Sequence, residues 1–244
     1  WVIETDEFLQ FVGTRHGIGT NYNLFSAAYN VLAVGKTDGQ HSTGSVFIDS
    51  TYPSGRVRTE IVAPNRYTSS TTPMVAATAA LLVDTGHSSP TLSTDPASLS
   101  TTNRNGDTIY NAERSEVIKA ALLAGADRYT KNQTPNTSTT GVITDITDYR
   151  SVGNQTLNGL DARFGAGQVN AYNSYHIIAA GEQNSSEDGG AGSTGISTSG
   201  FDYDPSFGGN SSNNVASYYF STGTAPKILS ASLVWHIDID AGRR

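Results

Sequence analysis

The sequence has no cysteine among its 244 residues. That excludes a disulfide framework, a cysteine–zinc site and a cysteine nucleophile. Charge is also scarce: Asp, Glu, Lys and Arg make up 15% of the chain, with a formal balance of −7. An acidic chain with few basic residues lacks the face that nucleic acid or an anionic membrane rewards, so neither is expected as a partner. No apolar run reaches the ~20 residues that a membrane helix needs. No basic-then-apolar leader precedes Trp1, and the strand-like run 235–240 stops short, so both ends read as cut. Ser, Thr, Asn and Gly are abundant. Such a neutral, loop-rich surface suits an exported protein, so the expected location is secreted, cell-surface or periplasmic. The 36% apolar content suffices for one sizeable core, or for one core and a small satellite.

Apolar runs at 8–12, 31–34 and 60–63 are each closed by Gly13, Gly35 or Pro64, the pattern of buried parallel strands. A helix is expected over 74–83, with Pro73 in its first turn and Gly86 as its stop. Its residues are apolar on nearly every face, which predicts burial all round. Residues 87–110 read as a long surface loop. Further helices are expected over 113–126 and 169–180, with Gly181 as the C-terminal glycine of the latter. The polar stretch 129–158 reads as an insertion and 183–200 as a low-complexity linker. Residues 215–221 and 228–235 read as strands of a small β-domain.

Chemistry concentrates around Ser69. A strand ends at Pro64, a short loop follows, and a serine stands at the mouth of an alanine-rich helix. A hydroxyl there meets free backbone N–H groups and the positive end of the helix dipole, which favour an alkoxide and stabilise an oxyanion. The bland alternative is capping, for which Ser69, Ser70, Thr71 and Thr72 all serve.

The segment Thr68-Ser69-Ser70-Thr71-Thr72-Pro73-Met74-Val75-Ala76 resembles the nucleophile motif of subtilisin-like serine proteases, Gly-Thr-Ser-x-Ala-(Thr/Ser)-Pro-x-Val-Ala. It departs at Tyr67, where that family has Gly, and at Thr71, where it has Ala. Ile61-Val62-Ala63-Pro64 is similar to the family's Asp-(Val/Ile)-x-Ala-Pro, with Glu60 in place of Asp. The strand at 29–35 and the run Gly165-Ala166-Gly167-Gln168-Val169-Asn170 follow in matching order, so the resemblance covers roughly 7–182.

The resemblance implies an α/β fold, a parallel sheet flanked by helices, in a C-terminal part of a catalytic domain at 1–182. A linker at 183–200 and the start of a β-sandwich at 201–244 would follow. It implies peptide-bond hydrolysis of protein or peptide substrates through an acyl-enzyme on Ser69, without a cofactor. The family's aspartate and histidine precede the serine in sequence, so they are expected upstream of Trp1. The missing N-terminal half of the same protein is therefore an expected partner, and residues 1–244 alone are expected to be inactive. The five histidines, His16, His41, His87, His176 and His236, read as loop or helix-surface residues.

A second oxyanion donor comes from an Asn in the family's Ala-Gly-Asn-x-Gly loop. The matching loop here is 11–17, and it places either Thr14 or Arg15 at that position, depending on which glycine anchors the comparison. Neither is Asn, so a relative that keeps the fold as a binding or scaffold module is the alternative reading. Asp238 and Asp240 alternate on one strand face and would offer oxygens to a structural Ca²⁺, although such paired acids are more often simply solvated.

Overall fold

The computed structural model describes residues 7–17, 19, 25–28, 30–42, 59–130, 146, 156, 159–190, 195–205, 207, 214–221 and 229–235. It is a mixed α/β chain that divides into two compact units.

The first unit takes 1–78, 126–170 and 235–244. Its centre is a three-stranded parallel sheet in the order β1 (Gln10–Gly13), β2 (Val31–Lys36), β3 (Ile61–Ala63). Val12 faces Ala33 across β1 and β2, and Val34 faces Ile61 across β2 and β3. Every residue of β2 and β3 is buried, as their continuous apolar runs require of a central parallel strand. Beyond β3, Val62 receives an N–H bond from Val169 and donates one to the Gly167 carbonyl, both at 2.8–2.9 Å. Gln168 pairs in turn with Asp127. β1 is only half-buried, and among the described residues its outer edge carries no strand. Gly35, expected to end β2, lies inside it, where a β-carbon would meet the His41 ring and Thr59.

Helix α1 runs over Thr68–Ser88, longer than expected at both ends. Pro73 lies inside it rather than in its first turn and has no N–H to offer the carbonyl of Ser69, four residues back. Burial all round is corrected. Thr68, Thr71, Val75, Ala79, Leu82 and Gly86 form a buried stripe at helical spacing, whereas Met74, Leu81 and Val83 are exposed.

The second unit takes 79–125 and 171–234. Helix α2 (Ser115–Gly125) and helix α3 (Ala171–Ala179) pack together. Their approach depends on Gly125, where a β-carbon would press on Ser174. Gly86 lies similarly close to the Ala112 carbonyl, so it is a packing residue and not a helix stop. Leu122 on α2 is fully buried. Leu122→Ala should cost ~3 kcal/mol, read as a lower urea midpoint at unchanged slope.

Two further expectations change here. The surface loop at 87–110 contains a hairpin of β4 (Ser100–Thr102) and β5 (Thr108–Tyr110). Asn103 builds its turn by accepting the N–H groups of Asn105 and Asp107, with Gly106 at φ +91°. The strands expected at 215–221 and 228–235 are not formed among the described residues. Val215, Phe220, Leu229, Leu233 and Trp235 stand exposed, with no sheet face to bury them. Segment 183–190 is tied within this unit by Ser186 N–H to the Ser217 carbonyl at 2.9 Å, and Ser185 is fully buried. Of the 129–158 stretch only 129, 130, 146 and 156 are described; Ile146 there packs against Val62 and Phe164.

Candidate functional site

The first unit holds an open cleft of about 840 Å³ along β1 and the first turns of α1. The 8–16 stretch lines it, together with Phe25 and the side of α1 that carries Thr68, Ser69, Thr72, Pro73 and Ala76. Ser69 and Arg15 are both exposed in it. The cleft runs along β1 and past its carboxyl end to His16, and the carboxyl ends of parallel strands are where α/β sheets place their sites.

The turn that presents Ser69 is built locally. Ser70 and Thr71 donate their N–H groups to the Tyr67 carbonyl at 3.0 and 3.1 Å. The hydroxyls of Thr71 and Thr72 donate to the Thr68 carbonyl at 3.0 and 2.8 Å. The Thr71 and Thr72 hydroxyls thus bond back to the preceding turn instead of capping free N–H groups. None of these bonds uses the Ser69 hydroxyl, and Ser69 is exposed and lines the cleft. Gly13 lets β1 approach: a β-carbon there would lie 2.9 Å from Thr72 Oγ1 and 3.3 Å from the Thr68 carbonyl oxygen.

Thr14 and Arg15 part company in the structure. Thr14 is buried, and both its N–H and its hydroxyl donate to the Val34 carbonyl, at 2.9 and 3.2 Å. Its only side-chain proton is therefore used in the sheet. Arg15 has its backbone pinned by Ser42 N–H, 2.9 Å from the Arg15 carbonyl, and is an exposed residue of the cleft lining. Beside it, His16 lies 5.4 Å from the Tyr67 ring, which also carries the Arg66 guanidinium at 5.1 Å.

Among the described residues no histidine hydrogen-bonds Ser69. His87 pairs with Glu113 at 3.1 Å, and His176 packs against Tyr172 and Tyr175. His236, Asp238 and Asp240 lie outside the described residues.

His41 corrects the expectation of a surface role, because it is fully buried. Its Nδ1 accepts the Lys36 N–H at 3.0 Å, and its Nε2 lies 2.7 Å from the Arg163 carbonyl. Those partners require the neutral ring with its proton on Nε2. Burial lowers its pKa from 6.5 to about 4. Protonation in the folded state is thus harder than in the unfolded chain. The associated stability is complete above pH ~6.5 and is lost as pH falls toward 4, in total ~3 kcal/mol. Urea unfolding at pH 7 and pH 4.5 should show this loss, and a His41→Asn variant should show a shallower one.

Compared with known proteins, the chain matches no family model, no curated protein and no solved structure. Among the described residues no helix is long and apolar enough to cross a membrane.

Sequence reasoning also missed Lys36. This lysine closes an otherwise apolar strand and is buried against Asp38 and the Arg66 carbonyl, close in sequence to Ser69. The only signal was its position directly after four apolar residues and a glycine at 31–35.

Proposed function

We propose that this chain carries the nucleophile of a subtilisin-like serine protease, with Ser69 attacking a peptide carbonyl to form an acyl-enzyme. The observation that carries the reading is the exposure of Ser69 in the first turn of α1, in a cleft that also takes in the carboxyl end of β1. The Ser69 N–H would be one donor to the oxyanion. Parallel pairing of β1, β2 and β3 supports the α/β part of the same reading.

The aspartate and histidine come, in this reading, from an N-terminal segment of the same protein. Two features favour such a partner: the edge of β1, which no strand covers among the described residues, and the exposed apolar residues Phe8 and Phe25 of the cleft lining. Its histidine would take the Ser69 proton and return it to the leaving amine. Of the two candidate oxyanion donors, Arg15 is exposed in the cleft lining, whereas the Thr14 hydroxyl is engaged by Val34. Substrates are proteins or peptides and the location is outside the cytoplasm.

The engagement of Thr14 also favours a second reading, a relative that keeps the fold as a binding or scaffold module. Assay of the protein with its N-terminal segment against an unstructured protein substrate separates the two. Cleavage that disappears in an Arg15→Ala variant while binding persists supports the protease with Arg15 as donor; no cleavage at all supports the scaffold.

A further inference from the structure

The loop 64–67 delivers the chain from β3 into α1, and its last peptides set where Ser69 stands. Lys36, the final residue of β2, reaches this loop from inside. Its side chain is only 2% exposed. Its Nζ donates to the Arg66 carbonyl at 3.0 Å and to Asp38 Oδ2 at 3.1 Å. The other carboxylate oxygen of Asp38 accepts the Gln40 N–H at 2.8 Å. A buried ammonium is costly unless it is paired and hydrogen-bonded, and these partners supply both conditions. Asp38 balances the charge, while the Arg66 carbonyl is the group that gains a fixed position.

We propose that Lys36 is a positioning residue whose ammonium holds the Arg66 carbonyl and so fixes the turn that presents Ser69. The proposal rests on the reading of Ser69 as nucleophile. Lys36 has a rigid base: it pairs with Ala63 across β2 and β3, and the neighbouring Thr37 N–H reaches the Ala63 carbonyl at 3.2 Å. From that base the ammonium fixes the carbonyl of residue 66. The next carbonyl, Tyr67, accepts Ser70 and Thr71 N–H and so starts the helix around Ser69. The sheet itself does not need the ammonium, because β2 and β3 are joined by backbone bonds. A neutral side chain of equal length at 36 would leave the sheet intact and release the loop.

Hydrogen exchange read by mass spectrometry tests this on the 244-residue chain. The variants are Lys36→Met and the charge-balanced Lys36→Met/Asp38→Asn, which leaves no buried carboxylate alone if the single variant fails to fold. The amides of 66–72 should exchange ~10-fold faster in the variants, while those of 31–35 and 117–123 keep their protection. Unchanged exchange at 66–72, a uniform rise in every segment, or global unfolding of both variants would overturn the proposal.

The second arm uses the protein with its N-terminal segment. There kcat for peptide hydrolysis should fall ~10- to 100-fold in the variants at unchanged KM, as expected for a misplaced nucleophile. Faster exchange at 66–72 without a fall in kcat would also overturn the positioning role. Absence of hydrolysis by the unmutated protein would refute the protease reading instead, and the exchange result would still judge the hold of Lys36 on Arg66.

Discussion

Ser69→Ala is expected to lower peptide hydrolysis by the protein with its N-terminal segment ~10⁴-fold or more, the scale known for the triad serine of subtilisin itself. The size follows from chemistry and not from folding. The Ser69 hydroxyl is exposed, and the bonds of its turn run through Tyr67, Thr68, Ser70, Thr71 and Thr72. Removing one exposed oxygen leaves that turn and the buried stripe of α1 as they are, so the melting temperature should barely move. An equal loss of activity and stability would mean that Ser69 serves the fold. Retained activity would mean that another residue is the nucleophile. Kinetics and a thermal melt on the same preparation distinguish the three results.

A large effect on stability is expected for Gly165→Ala. Gly165 sits at φ +61°, and a β-carbon there would collide with the Glu60 carbonyl. That close approach is built by several bonds at once. Gly165 and Asp161 exchange N–H···O bonds at 2.9 Å, and Ala166 N–H reaches the Glu60 carbonyl at 2.8 Å. Asp161 is fully buried and accepts the N–H groups of Arg163 and Phe164. The turn therefore cannot swing away from β3 without breaking its own bonds. Left-handed strain together with displacement of a carbonyl should cost ~3 kcal/mol, or roughly 10 °C in Tm. A calorimetric melt checks this, and a shift under 2 °C would show that the turn yields more easily than its bonds suggest.

What could be read from the sequence was mostly local. The apolar run 31–34 bounded by glycine was readable as a buried strand because parallel strands covered on both faces carry no polar alternation. The serine before an apolar helix was readable because helix starts favour hydroxyl residues and leave N–H groups free. What could not be read depends on which surfaces meet. Apolar residues occupy every face of α1, so periodicity had nothing to separate, and only the folded chain leaves Met74, Leu81 and Val83 exposed. Pro73 was taken as a first-turn residue because that is its usual place, yet Thr71 and Thr72 extend the helix before it by bonding the Thr68 carbonyl.

The hairpin of β4 and β5 escaped notice because Ser-Thr-Thr and Thr-Ile-Tyr lack clear apolar alternation, and its turn relies on Asn103 more than on a two-residue glycine signal. The opposite error was made at 215–221 and 228–235, where β-rich composition was read as strands. Composition supplies the propensity but not the neighbouring strand that would use it. Lys36 passed unnoticed and His41 read as an ordinary loop or surface residue for a related reason. Their burial depends on Asp38, Arg66 and Arg163, and the last two lie far from them in sequence.

The cleft divides its labour between residues visible to sequence reasoning and residues that only the fold brings together. Ser69 and Arg15 face it. Gly13 sets how closely β1 approaches the turn, and Lys36 holds the loop from beneath.

The most direct test of the central claim is labelling by a fluorophosphonate, which reacts with activated serines and is read by intact mass and peptide mapping. The protein with its N-terminal segment should gain one adduct, mapped to Ser69, while the Ser69→Ala variant and the isolated 244-residue chain gain none. No adduct on the longer protein, or an adduct on any residue other than Ser69, would contradict the account.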